Sequence, residues 1–183
     1  PLGVLPVDWQ ATMDRFERDF PNMRKLSEVL RDHFALSALG DMRVKWPNVL
    51  LVGRPGIGKT EAARFLANAF GLPFETIDPA SAQSGSALNG SEAYWSNAKP
   101  GRLFELLALG EVANPVVVLD ELDKAKGDHR HDPLAGLYTL LEPRSAKEFK
   151  DLCVGLPMDA SHVNWIATAN DARGIPDPLL SRM

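Results

Sequence analysis

Asn48-Val-Leu-Leu-Val52-Gly53-Arg54-Pro55-Gly56-Ile57-Gly58-Lys59-Thr60 is the stretch on which the fold turns. A short, unbroken apolar run ended by glycine is the pattern of a strand buried on both faces, which implies a parallel sheet. Gly53 to Thr60 fits G-x-x-x-x-G-K-[ST]. From Gly58 onward Ala62, Leu66, Ala69 and Phe70 recur on one helical face until Gly71-Leu72-Pro73 closes it. Strand, glycine loop and helix thus follow one another as a phosphate-binding loop requires. The glycines let successive N–H groups converge on phosphate oxygens, and the helix N-terminus adds partial positive charge. In this reading Gly53, Arg54, Pro55, Gly56, Ile57 and Gly58 form the cradle, and Lys59 reaches the β- and γ-phosphates. Thr60 offers its hydroxyl to Mg²⁺. A glycine-rich turn without catalytic meaning is the alternative.

Downstream, Phe74 to Ile77 reads as a second strand and Pro115 to Leu119 as a third, with a helix over Leu103 to Leu109 between them. Residues 78–102 are rich in Ser, Gly, Ala and Asn and read as a long functional loop. The third strand runs straight into Asp120-Glu121, at the sheet edge where open α/β folds bind ligands. Asp120 is suited to hold Mg²⁺ and Glu121 to polarise the water that attacks the γ-phosphorus. An acidic helix start would carry the same two residues. Asp132-Pro133 opens a further helix bearing Leu134, Leu137, Tyr138 and Leu141, and Val163 to Ala169 is the fourth strand. It ends on Asn170, whose amide is placed to orient water or touch the γ-phosphate; a turn or cap residue is the alternative there.

Upstream, Trp9, Met13 and Phe16 share one helical stripe. Asn22 is read as the N-cap of a second helix, with Met23, Leu26, Leu30 and Phe34 on one face and Gly40 as its stop. Alternating strands and helices predict a three-layer α/β domain around a mainly parallel sheet with helices on both faces. The expected division is an N-terminal helical segment, residues 1–44, before a nucleotide-binding subdomain, residues 45–183.

The 183 residues are 45% apolar and 24% charged, a globular composition long enough for a real core, with no apolar run of bilayer length. A net charge of −4 gives no diffuse positive field, so nucleic acid is not the expected partner. One cysteine, Cys153, excludes an internal disulfide and reads as a small buried apolar group. With no secretory leader, a reducing cytoplasm is expected. Asp128-His129-Arg130-His131-Asp132 is read as a solvated connector rather than a metal site, for want of further ligand groups.

Together these residues resemble the AAA+ ATPases, and within them the ATPase module of the Lon protease family, over roughly residues 48–183. Gly53 to Thr60 looks like Walker A, Val116 to Glu121 like Walker B with its catalytic glutamate, and Asn170 like the sensor-1 asparagine. Ile166-Ala-Thr-Ala-Asn170 followed by Ile175-Pro-Asp-Pro-Leu-Leu-Ser-Arg182-Met183 is similar to Lon's version of that region. The resemblance implies the P-loop NTPase fold of an AAA+ large subdomain and ATP as the nucleotide. It makes Arg182 an arginine finger acting in trans, and hence implies a homo-oligomeric ring, most simply a hexamer. It also makes Tyr94 and Trp95, before Pro100-Gly101, the loop that grips polypeptide; packing of both rings against the domain is the alternative. By the same resemblance a fifth strand, a lid and a sensor-2 arginine belong after Met183. A Ser-Lys peptidase pair lies outside this chain, so proteolysis is not expected of it.

The function expected is therefore an ATP-hydrolysing, Lon-like module that drives protein unfolding or remodelling. Its rivals are a small P-loop kinase, a nucleotide-gated scaffold with little turnover and, more remotely, a DNA-acting AAA+ relative such as a clamp loader.

Overall fold

A computed structural model describes residues 1–81, 88–91, 94, 96–125 and 132–183. Four parallel strands make the central sheet: β1 (Val49–Val52), β2 (Phe74–Ile77), β3 (Val116–Leu119) and β6 (Asn164–Ala169), in the order β1-β6-β3-β2. Between β3 and β6 the chain forms a small antiparallel hairpin, β4 (Phe149–Lys150) and β5 (Pro157–Met158), which the sequence pattern did not predict. Two-residue strands are too short to show alternation.

The register accounts for both cores. Along β3, Val116 and Val118 join one buried cluster while Val117 and Leu119 join the other, as strict side-chain alternation requires. On the first face lie α1 (Trp9–Asp19), α2 (Arg24–Ala38) and α3 (Lys59–Ala69), which contribute Met13, Phe16, Leu30, Phe34 and Leu66. On the second lie α4, a turn at Arg102–Phe104 continued as a π-helix over Glu105–Leu109, and α5 (Ala135–Leu140), with the short α6 (Pro143–Ala146) and α7 (Asp177–Leu180) behind them. Both faces are covered, so the expected three-layer α/β architecture is present. The N-terminal helices share a core with the sheet: the Phe16 and Phe65 rings lie 5.7 Å apart and Trp46 is buried against Phe34.

One helix start differs from expectation, while α2 stops just before Gly40 as expected. Asn22 does not cap α2; it sits in a 3₁₀ turn, Pro21–Met23, and its side-chain amide donates to the Ile57 carbonyl at 2.9 Å. The phosphate loop has recruited the side chain that the local pattern assigned to the helix. Gly40 is not the left-handed residue after α2; Met42 is, at φ 59°. The Gly40 and Met42 N–H groups both reach the Ser37 carbonyl at 3.0 Å and close the turn. Cys153, expected in the core, is half-buried in the hairpin turn.

Lys45 joins the segment before β1 to the start of β6, donating to the Val163 carbonyl at 2.6 Å. Burial lowers its pKa from 10.5 to about 8. The folded state therefore holds fewer protons than the unfolded chain between about pH 8 and 10.5, and stability rises with pH across that window. Relative to Lys45→Met, the wild type is expected to gain up to roughly 3 kcal/mol between those limits, read from denaturant unfolding. A difference flat in pH would refute the assignment.

Candidate nucleotide site

The carboxyl ends of β1, β6 and β3 lie side by side, and each delivers one part of the site. After β1, Gly56 and Gly58 take left-handed φ values of 79° and 87°, a conformation costly for any residue with a Cβ. The turn leads directly into α3. At its start Lys59 is buried, with its ammonium donating to the Gly53 and Arg54 carbonyls at 2.6 and 3.1 Å. Pro55, Gly56, Gly58, Lys59 and Thr60 line a cavity of about 370 Å³ together with Asp120, Glu121, Thr168 and Asn170, whereas Gly53, Arg54 and Ile57 do not line it.

After β3 the chain turns sharply. Asp120 is anchored by its N–H to the Ile77 carbonyl at 2.9 Å, and Glu121 adopts φ 53°, ψ 45°, a strained conformation for glutamate. Its carboxylate receives Lys124 at 2.5 Å, a contact that raises the lysine pKa. The Asp120 Oδ1 accepts from Thr60 Oγ1 at 3.3 Å, so hydroxyl and carboxylate stand close enough to share one hard cation. The donor set is all oxygen, which suits magnesium. The open glycine turn, with no atom within 4 Å of a Cβ added at Gly56, leaves room for phosphate.

Sequence reasoning missed two residues that fix this geometry. Thr168, buried in β6, donates from Oγ1 to Asp120 Oδ1 at 2.6 Å and accepts the Glu121 N–H at 3.0 Å, holding both acids at once. Asp123, in the 3₁₀ turn Leu122–Lys124, accepts the Asn170 and Asp171 N–H groups at 3.2 and 3.3 Å and so ties the end of β6 to the acidic turn. A hydroxyl inside a buried strand was the available signal for Thr168, since such a group demands partners. Thr168→Val should cost about 1–3 kcal/mol of stability and lower ATP turnover roughly tenfold, with Thr168→Ser restoring both. Unchanged unfolding and turnover in Thr168→Val would exclude that role.

Arg182 stands apart from these groups. It lines a different cavity, of about 580 Å³, shared with Lys45, Asn48 and His162 at the amino ends of β1 and β6. There its carbonyl accepts from Asn48 Nδ2 at 2.9 Å and its guanidinium donates to the Pro178 carbonyl. Its buried Nε finds no hydrogen-bond partner among the described residues. Tyr94 is 76% exposed, while Trp95 falls outside the described residues, as do residues 128–131 of the histidine-bearing connector. No helix among the described residues is long and apolar enough to cross a membrane.

A parallel sheet with a glycine loop, a lysine and two acids at its carboxyl edge defines a phosphate-loop nucleotide-binding module. Residues 49–183 match the profile of the ATPase family associated with various cellular activities (AAA), and the chain belongs to that family. It is similar to the Lon protease of Mycoplasma mycoides subsp. mycoides SC, at 32% identity over 97% of this chain and 24% of the relative. It is likewise similar to the Lon protease of Aquifex aeolicus, at 33% identity over 96% of this chain and 22% of the relative. The peroxisomal Lon protease homolog 2 of Arabidopsis thaliana is 34% identical over 97% of this chain and 20% of its own length. The chain thus spans between about a fifth and a quarter of these relatives and corresponds to a Lon-like AAA ATPase module. A structure of Hsp104 with ATPγS and FITC casein shares the fold, with TM-score 0.70 and 19% identity over 98% of this chain and 36% of that one.

Proposed function

We propose that this module binds ATP with magnesium and hydrolyses it, as the motor of a ring that unfolds or remodels protein. The observation that carries the proposal is the convergence of Lys59, Thr60, Asp120, Glu121 and Asn170 on one cavity at the ends of three parallel strands. Lys59 neutralises β- and γ-phosphate charge. Thr60 and Asp120 would hold the magnesium ion, which when bound offsets the remaining phosphate charge. Glu121, beyond the cation-holding pair, accepts a proton from the attacking water, and the Asn170 amide orients that water or the phosphoryl oxygens.

Arg182, at the opposite end of the sheet, is proposed as the finger for ATP held by a neighbouring subunit in a hexameric ring. Its separation from Lys59 and Glu121 within one chain supports a role in trans, and its planar fork suits developing phosphate charge. The loop of Tyr94 and Trp95 is proposed to contact the polypeptide substrate; the exposure of Tyr94 supports this. A cytoplasmic setting, and the division into residues 1–44 and 45–183, belong to the same reading. The likeness to Lon supports a protein substrate over nucleic acid.

The deciding measurement is phosphate release from ATP by the full-length protein with no added acceptor. Release is expected, with stimulation by an unfolded polypeptide. Release that required an added small-molecule hydroxyl would replace this reading with a kinase.

A further inference from the structure

Asp151, at the first turn of the β4–β5 hairpin, is completely buried although it carries a carboxylate. Its oxygens are satisfied by backbone: Oδ1 accepts the Cys153 and Val154 N–H groups at 2.9 and 3.1 Å within the hairpin, and Oδ2 accepts the Gly101 N–H at 2.7 Å from a segment 50 positions away. Hydrogen bonds to an ionised acceptor are among the stronger ones a protein makes. A second tie runs beside them, from the Leu152 N–H to the Asn89 carbonyl at 2.7 Å.

Gly101 and Asn89 are the two sides of the base of the loop that carries Tyr94. Two residues further in, the sides are joined to each other: the Ser91 N–H reaches the Lys99 carbonyl at 3.0 Å and the Lys99 N–H reaches Ser91 Oγ at 2.8 Å. Two glycines make the approach possible. A Cβ on Gly90, whose φ is 77°, would lie 2.6 Å from the Asp151 carboxylate, and one on Gly101 would lie 2.4 Å from the Leu88 carbonyl. The hairpin in turn leads through Ala160 and Val163 directly into β6, whose far end bears Thr168 and Asn170.

We propose that Asp151 is a positioning residue, clasping the stem of the Tyr94 loop to the hairpin so that the two move as one body and displacement of the loop reaches β6. The proposal rests on the polypeptide-handling reading above and adds its route to the nucleotide site. A loop free at its base absorbs a push at its tip by local backbone rotation. A base tied on one side to the buried Asp151 carboxylate and on the other to the Leu152 N–H beside it passes the push on.

Asp151→Asn in the full-length protein tests this, because one of the two oxygens becomes an amide donor facing backbone N–H groups and one side of the clasp must open. Gly90→Ala opens it from the loop side. Both variants are expected to raise amide hydrogen exchange roughly tenfold in the stem (residues 88–91 and 99–101) or in the hairpin (residues 151–155), with β1 and β3 unchanged. Both should lower the stimulation of ATP hydrolysis by casein about fivefold while basal hydrolysis and nucleotide affinity stay within about twofold. Exchange unchanged at both sites, stimulation retained in both variants, or basal hydrolysis falling together with protection of β3 would overturn the proposal. If the wild-type protein ignores casein, the polypeptide reading fails instead, and the clasp is then decided by exchange at the stem and hairpin alone.

Discussion

With Glu121 replaced by Gln, ATP turnover is expected to fall roughly 10²- to 10³-fold while nucleotide affinity stays within about threefold. The split follows from where the carboxylate stands. Glu121 lines the cavity, but its carboxylate stands outside the Thr60–Asp120–Thr168 cluster and is tied to Lys124 instead. Its backbone is held at a positive φ by the bond to Thr168 and by the turn that follows β3. A strained backbone held beside a cavity is characteristic of working sites, and Glu121 lines this one. Glutamine keeps the shape and loses the basicity, so a group whose task is to accept a proton loses turnover and little else. The Lys124 pair is also weakened, but both side chains are half-exposed, so the stability cost should be small. Turnover and equilibrium binding of ATP, measured on the same preparation, check both halves. A small change in turnover, or a loss of binding equal to the loss of turnover, would remove Glu121 from the role of base.

Lys59→Ala should act on binding instead, weakening ATP affinity by about 100-fold, which corresponds to roughly 2.7 kcal/mol. Lys59 is buried at the first position of α3, and its ammonium lies against the carbonyls of Gly53 and Arg54 on the inner side of the glycine turn. The turn itself depends on Gly56 and Gly58, so alanine at 59 leaves the N–H cradle in place and removes the cation from it. The carbonyls freed belong to an exposed loop and exchange the ammonium for water, so unfolding stability should change by no more than about 1 kcal/mol. Calorimetric titration with ATP, paired with denaturant unfolding, separates the two effects. Affinity within about fivefold of wild type would mean that the phosphates do not lie against Lys59.

Much of this was legible in the chain. The run from Asn48 to Thr60 specified strand, turn and helix, because each depends on local chemistry: apolar continuity, glycine at positive φ and helical periodicity. The acids at 120 and 121 were legible for the same reason, standing at the end of a run too apolar for anything but a buried strand. The helix pattern of α1 emerged as read, with Trp9, Met13 and Phe16 buried. Asn22 did not, because two elements compete for one side-chain amide and sequence distance says nothing about which is nearer. Thr168 offered only its hydroxyl in a buried strand as a signal and Asp123 none, because their work depends on strand order. β6 is inserted between β1 and β3, and that alone sets Thr168 against Asp120 and Asn170 against Asp123.

The sequence by itself determined the four strands of the main sheet, the longer helices, the glycine loop and the acidic pair, since these follow from short-range preferences and from burial that residue type dictates. Tertiary structure decided what those elements are joined by: the threonine shared between two acids, the arginine at the other end of the sheet, and the buried carboxylate between a loop and a hairpin. Hydrogen bonds between segments far apart in sequence depend on strand order and on which groups burial leaves without water, and neither is written in any local run of residues.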